Sequence, residues 1–407
     1  MNNSDLLVPP VKYEELQWIP KRNPDMSKRE LVRQTGTYQS AITLPIAEWD
    51  FQITADLSAD LEEAIIALQD FEQHASSLLP PESLSLGPLA SILLRTESAS
   101  SSQIEQLTSS AKQLALAEID QGKSNAITIL ANVRAMQAAL ELSSSLTVSS
   151  ILKMHSPLLG AAPTLSQHAG ALRQEPVWIG GRDSAGPLGA SFVAPRPDLV
   201  PGALADLEIF MARQDLPILL QVAVAHAQFE TIHPFVDGNG RTGRALVHAM
   251  LHNYGMSKSF VLPISSGILT NLNGYFSALT SYRLGDAEPI VRLFARATRY
   301  AAAHGTTLID DLQKQIERSN LQLEGVRPHS AAWKLVSLLV GQPVVNTKFI
   351  KEHLGINDSA ATRALALLTE RGILRETSGN SRNRIWQHNG ILEVLDTYAA
   401  QLRRDSR

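Results

Sequence analysis

Apolar residues along this chain recur mostly at three- and four-residue intervals, the period that gathers side chains on one face of a helix. Leu57, Leu61, Ile65 and Leu68 form one such stripe, which stops before the Pro80-Pro81 turn. Ile104, Leu107, Ala111 and Leu114 form a second, and Ile127, Leu130, Ala131, Val133, Ala138 and Leu140 form a third. Ile218, Leu219, Val222, His226 and Phe229 predict a buried helix. Pro234 should end it, because proline lacks an N–H and disfavours the helical conformation at His233. The period resumes in Ala245, Leu246, Ala249, Met250 and Leu251 and stops at Gly255. Strand signals are few: Val177-Trp178-Ile179, closed by Gly180 and Gly181, and Phe192-Val193-Ala194-Pro195 predict a short hairpin. Before residue 50, Pro9, Pro10, Pro20 and Pro24 break any long helix, and Tyr13, Trp18 and Trp49 suggest a segment laid over a surface. The fold class this predicts is mainly α.

The pattern changes near Val326. Residues 331–340 are apolar, 347–354 follow with Gly355 as a C-cap, and Asn357, Asp358 or Ser359 can cap a helix over 359–370. Two strand-like runs, 372–375 and 384–386, then bracket a polar turn at 378–381. This order resembles a winged helix-turn-helix with 359–370 as its recognition helix. The charge balance separates this section from the rest. The whole chain carries 36 Lys and Arg against 40 Asp and Glu, yet residues 326–407 hold 12 basic and 7 acidic residues. Arg363, Arg371, Arg375, Arg382 and Arg384 make DNA a candidate partner through residues 359–384, with protein contact as the competing use. At 407 residues and 44% apolar, the chain has room for two or three domains. The boundaries expected are 1–110, 111–305, a connecting helix over 306–325, and 326–407. The absence of cysteine excludes disulfides and thiolate metal sites. Neither a secretory leader nor a run of about 20 apolar residues is present, so a cytoplasmic protein without membrane contact is expected.

Residues 233–244 read His-Pro-Phe-Val-Asp-Gly-Asn-Gly-Arg-Thr-Gly-Arg, a corner between the two strongest helices. Gly238, Asn239 and Gly240 can take positive φ and expose consecutive N–H groups at the start of the next helix, where anions are favoured. Asp237 offers a carboxylate to Mg²⁺, which takes one or two protein carboxylates alongside phosphate oxygens. Arg241 and Arg244, three apart, can fork onto further phosphate oxygens. His233 titrates near neutrality and can take a proton from an incoming hydroxyl. Base, metal ligand and phosphate clamp together point to nucleotide chemistry. His226, Glu230 and His233 could instead line one face of a metal site, but that leaves both arginines and the glycines unexplained. His226 reads better as a packed helix histidine.

The stretch resembles the Fic (filamentation induced by cAMP) family, whose HPFx[D/E]GNGRxxR hallmark is complete here. The resemblance implies a Fic-type helical core and a protein adenylyltransferase that uses ATP and Mg²⁺ to modify a Tyr, Thr or Ser hydroxyl of a target protein. It assigns His233 as base, Asp237 as metal ligand, Gly238 to Gly240 as anion hole, and Arg241 and Arg244 as phosphate ligands. The related Doc toxins, which phosphorylate their targets, carry Lys where this chain has Gly240, so nucleotidyl transfer is favoured. The hairpin at 177–195 corresponds to the family's flap, which holds the target segment by strand pairing. Residues 132–136 resemble the first core helix. Ser101 and Glu105 match the inhibitory motif [S/T]xxxE[G/N], which implies a Glu105–Arg244 switch, although Gln106 departs from the usual Gly or Asn. Asn271 and Tyr275 fall where the family contacts base and ribose, with core packing as the alternative for the aromatic residue. De-AMPylation, another nucleotide donor, or DNA-directed regulation by the C-terminal section remain alternatives. The target's identity, self-modification and a homodimer stay open.

Overall fold

A computed structural model describes residues 6–20, 27–78, 86–160, 162, 164–180, 186–377 and 383–406. The Pro80-Pro81 turn, Pro24, Gly181, the turn at 378–381 and Arg382 lie outside the described residues. In chain order the elements are β1 (Lys12–Trp18), α1 (Lys28–Arg33), β2 (Gly36–Ile42), α2 (Ala55–Leu78), α3 (Leu86–Ile104), α4 (Ala111–Glu118), α5 (Ser124–Glu141) and α6 (Val148–Gly160). There follow β3 (Trp178–Ile179), β4 (Phe192–Val193), α7 (Val200–Met211), α8 (Ile218–Ile232), α9 (Asn239–Asn253), α10 (Ile264–Leu269), α11 (Leu272–Arg283) and α12 (Glu288–Gln322). The last are α13 (Ala331–Gly341), β5 (Val344–Asn346), α14 (Thr347–Leu354), α15 (Asp358–Glu370), β6 (Arg375–Glu376), β7 (Ile385–Gln387) and α16 (Asn389–Asp405). The protein is mainly α-helical, as the apolar period predicts.

Two compact units share the chain. One gathers residues 1–62, 137–254 and 273–295. Its centre is α8 packed between α7 and α9, and residues 219–232 and 239–251 of the central pair are buried. The N-terminal stretch is more ordered than a segment laid over a surface. β1 and β2 pair antiparallel, with Lys12 opposite Ile42 and Trp18 opposite Gly36. Polar residues dominate β1, which hid its alternation in the sequence. Only Glu14, Leu16 and Trp18 turn inward, and Trp18 sets its ring edge-on to Tyr38 and Trp178. The hairpin thereby braces the predicted flap, where Trp178 and Ile179 pair with Val193 and Phe192. Ala41 packs with Phe192 and Ala194, and the Ser40 hydroxyl donates to the Ala194 carbonyl at 3.2 Å.

The other unit holds residues 63–136, 255–272 and 296–407. Within it α3 packs on α10 and α13. Glu97, fully buried on α3, accepts from the Ser265 N–H at 2.9 Å and the Ser265 hydroxyl at 2.5 Å, holding the start of α10. Arg95 donates to the Gly341 carbonyl at 2.6 Å and the Gln342 side chain at 2.8 Å. Residues 331–387 give helix, strand, two helices and two strands, with the three strands ordered β5-β7-β6 in one antiparallel sheet. Among the described residues no helix is long and apolar enough to cross a membrane.

Candidate active site

The site starts from how α8 stops. His233 takes φ 49° and ψ 62°, left-handed values that avoid the helical region disfavoured before Pro234, and its N–H still donates to the Phe229 carbonyl at 2.9 Å. Gly238, at φ 80°, turns the chain into α9. The expectation of positive φ at Asn239 and Gly240 is corrected here: both lie in the first turn of α9. Asn239 closes the loop with its side chain, accepting from the Phe235 N–H at 2.8 Å and donating to the Phe235 carbonyl at 2.9 Å. The candidate for the expected anion cradle is therefore the N-terminus of a 15-residue helix, where the first N–H groups of any helix lack an intrahelical acceptor.

Asp237 keeps its carboxylate half exposed and accepts from the Gly238 N–H at 2.6 Å. Arg241, almost fully buried, places Nη2 at 3.4 Å from both Asp237 oxygens, while its Nε is a buried donor with no hydrogen-bond partner among the described residues. Arg244 is buried one turn further on. The His233 Nδ1 points at the Glu230 carbonyl, 3.3 Å away, with the Glu230 carboxylate at 3.8 Å. A proton held on Nδ1 in this direction makes Nε2 the basic nitrogen. Among the described residues no group of three or more His, Cys, Asp or Glu is placed to hold a metal, so an ion held by Asp237 would take its other ligands from elsewhere. That donor set suits an ion completed by phosphate and water.

Two residues that sequence reasoning gave no role hold this loop. His155 on α6 accepts the Gly170 N–H on Nδ1 at 3.0 Å, so its Nε2–H donates to the Asp237 carbonyl at 2.9 Å. Its ring stacks on Phe235 at 3.7 Å and 1°. Burial pushes the imidazole pKa down to about 4, against smaller upward pulls from the Asp237 carbonyl and carboxylate. Arg173, 1% exposed, donates from Nε to the His233 carbonyl at 2.7 Å and from its backbone N–H to the Pro234 carbonyl at 3.0 Å. No local pattern announces either residue, because both act on backbone carbonyls, which every sequence offers.

The first unit brings together His233, Asp237, Gly238, Asn239, Gly240, Arg241 and Arg244. Tyr275, in the same unit, is 1% exposed and its hydroxyl sits 2.8 Å from Nε2 of the buried His226. Ser101, Glu105 and Asn271 belong to the second unit. Ser101 is fully buried near the end of α3, and Glu105 and Asn271 are exposed. Asn132, in the stretch likened to the first core helix, donates to the Ser98 carbonyl at 3.0 Å and to the Ser102 hydroxyl at 3.2 Å, tying α5 to the last turns of α3.

A helical fold that sets a helix N-terminus beside an imidazole, a carboxylate and two arginines defines the candidate site. Residues 145–251 match the model of the Fic/DOC family. Among curated relatives it is 29% identical over 154 residues to protein adenylyltransferase fic-1 of Caenorhabditis briggsae, which covers 37% of this chain and 27% of that protein. It is 27% identical over 212 residues to protein adenylyltransferase Fic of Drosophila virilis, covering 48% of this chain and 39% of that one. The chain thus spans well under half the length of the curated relatives it matches. A crystal structure of a Fic family protein from Desulfovibrio desulfuricans G20 shares the fold with a TM-score of 0.54 at 20% identity, covering 85% of this chain and 98% of that one.

Proposed function

We propose that this protein is an adenylyltransferase that moves AMP from ATP to a hydroxyl of a protein side chain. The observation that carries this reading is the pinned corner at 233–244, which sets a basic imidazole, an exposed carboxylate and an arginine-flanked helix N-terminus on one loop. In the proposed step the hydroxyl oxygen attacks the α-phosphorus of ATP, its proton passes to His233 Nε2, and the bond to the β-phosphate breaks to release pyrophosphate. The N-terminus of α9 faces the growing phosphate charge, and Arg241 and Arg244 hold further oxygens, so the rate comes from positioning and electrostatics. The orphaned Nε of Arg241 is a donor such an oxygen would satisfy. Mg²⁺, with Asp237 as its protein ligand, would neutralise phosphate charge. Asn271 is the candidate contact for the base or ribose.

Glu105 in this reading is the anion that competes for Arg244 and keeps the γ-phosphate out. The motif match and the buried, helix-ordered Ser101 support it. The test is label transfer from α-labelled and γ-labelled ATP onto protein with Mg²⁺, using wild type, Glu105→Gly and Glu105→Gly/His233→Ala. Only the α label should appear, most strongly in the single variant and reduced at least about 100-fold in the double. Transfer of γ label would make the protein a kinase, and equal transfer by wild type and Glu105→Gly would remove the switch.

A second reading concerns residues 331–387, whose order of helices and strands supports a winged helix. Arg363, Arg371 and Arg375 are exposed there, whereas Lys351 is paired with Asp358 at 2.8 Å and Arg384 with Glu376. Duplex DNA binding that weakens steeply with salt, and further in Arg363→Ala/Arg375→Ala, is the expected mark of this function.

A further inference from the structure

Arg173 does more than hold the catalytic loop. Its Nη1 donates to the Glu175 carbonyl at 3.2 Å and its Nη2 to the Pro195 carbonyl, two residues after β4. Glu175 lies three residues before β3, so one guanidinium grips both legs of the hairpin at its base. The same Nη2 reaches the Ile232 carbonyl at 3.3 Å, and Nε reaches that of His233 at 2.7 Å. Both of these acceptors belong to the end of α8, where the helix dipole favours a cation. One planar fork therefore ties the hairpin to the residue that carries the base.

We propose that Arg173 is a positioning residue for the transfer: it fixes the base of the β3–β4 hairpin against the His233 backbone, so that a hydroxyl carried by a segment docked on the hairpin meets the imidazole in register. This rests on the adenylyltransferase reading for what is transferred, but the mechanical link does not. A burial of this kind is costly for a cation unless its donors find acceptors, and here four carbonyls take four of the five guanidinium N–H groups. Desolvation draws the Arg173 pKa down to about 10, with the nearby Tyr38 pulling the other way, so the group stays charged at neutral pH. Lysine could not reproduce the arrangement, because an ammonium is a point charge without the rigid fork. ATP should be indifferent to the change, since its phosphates are assigned to α9, Arg241 and Arg244 and none of these bonds to Arg173.

The test uses Arg173→Lys and Arg173→Ala in the full chain, each also combined with Glu105→Gly. Amide hydrogen exchange is followed with or without activity. Faster exchange in both the hairpin, at 177–180 and 186–195, and the α8 end, at 232–235, with α7 and α9 unchanged, is expected; acceleration of only one of the two, or of neither, overturns the link. In the Glu105→Gly background kcat for α-label transfer should fall about 100-fold in both variants, while binding of a non-hydrolysable ATP analogue changes less than about threefold. Millimolar ethylguanidinium should restore at least tenfold of the lost rate in Arg173→Ala. Transfer at the parent rate overturns the positioning role, as does a parallel loss of nucleotide binding and rate without rescue. Failure of the Glu105→Gly parent itself to transfer label would instead sink the adenylyltransferase reading, leaving the exchange experiment to decide the link.

Discussion

Gln106 shows how much one residue can change the end of a helix. Its N–H donates to the Gln103 carbonyl at 2.9 Å, and the Leu107 N–H donates to that of Ser102 at 3.0 Å, the two bonds of a Schellman stop. The residue between must be left-handed, and Gln106 has φ 61°. A side chain costs about 1–2 kcal/mol there, partly offset by the greater chain entropy glycine loses on folding. Gln106→Gly should therefore stabilise the protein by about 0.5–1 kcal/mol, read as a higher denaturant midpoint at constant slope. A midpoint that stays put or drops would show that the strain is relieved elsewhere. The departure from the Gly or Asn of the motif was visible in the sequence. Its consequence was not, because only the hydrogen bonds of the helix end reveal that position 106 has to be left-handed. Glu105, the adjacent cap residue, then sits at the end of a helix that terminates less favourably than the family pattern would allow.

At the scale of elements, the α8–α9 corner was largely legible. The apolar period placed both helices, Pro234 the stop, and the residue types of 233–244 the chemistry. The sequence did not reveal what immobilises the loop, because Asn239, His155 and Arg173 bind main-chain groups. His155 makes this testable by pH. Its folded pKa lies near 4 against 6.5 for the unfolded chain, so between these values the unfolded state binds the extra proton. Its contribution is fully present above about pH 6.5 and is lost as pH falls toward 4, by up to about 3 kcal/mol. His388 is lowered in the same way, also to about 4, so the comparison must be differential. Unfolding free energies of wild type and His155→Gln between pH 4.5 and 6 should differ in slope by up to about 1.4 kcal/mol per unit, wild type being steeper. Coincident slopes would mean that His155 protonates in the folded state and does not lock the Asp237 carbonyl as a neutral donor.

For the molecule as a whole, local periodicity predicted most of the helices, although the Ile104–Leu114 stripe is split by a non-helical stretch at 105–110 between α3 and α4, and it could not say which helices, far apart in the chain, would meet. The sequence suggested a C-terminal section of its own from 326. The structure groups it in one compact unit with α3, the helix that carries Ser101 and leads into Glu105. The decisive contact is a glycine. A Cβ on Gly341, at the end of α13, would lie 2.8 Å from the Pro88 Cα and 2.9 Å from the Pro88 carbonyl oxygen, backbone atoms that cannot swing aside. Two effects of Gly341→Ala then oppose each other. Helix propensity favours alanine by about 1 kcal/mol, while overpacking against fixed backbone costs about 1–3 kcal/mol and also strains the Arg95 bond to the Gly341 carbonyl. The clash should win, lowering stability by about 1–2 kcal/mol in thermal or denaturant unfolding. Gly202, in α7 and with nothing within 4 Å of an added Cβ, is the matched control: Gly202→Ala should stabilise by up to about 1 kcal/mol. If both substitutions stabilise alike, α13 does not press on the start of α3, and a ligand bound to the C-terminal section would have no packed route to the proposed inhibitory helix. Opposite signs would establish that route as direct contact.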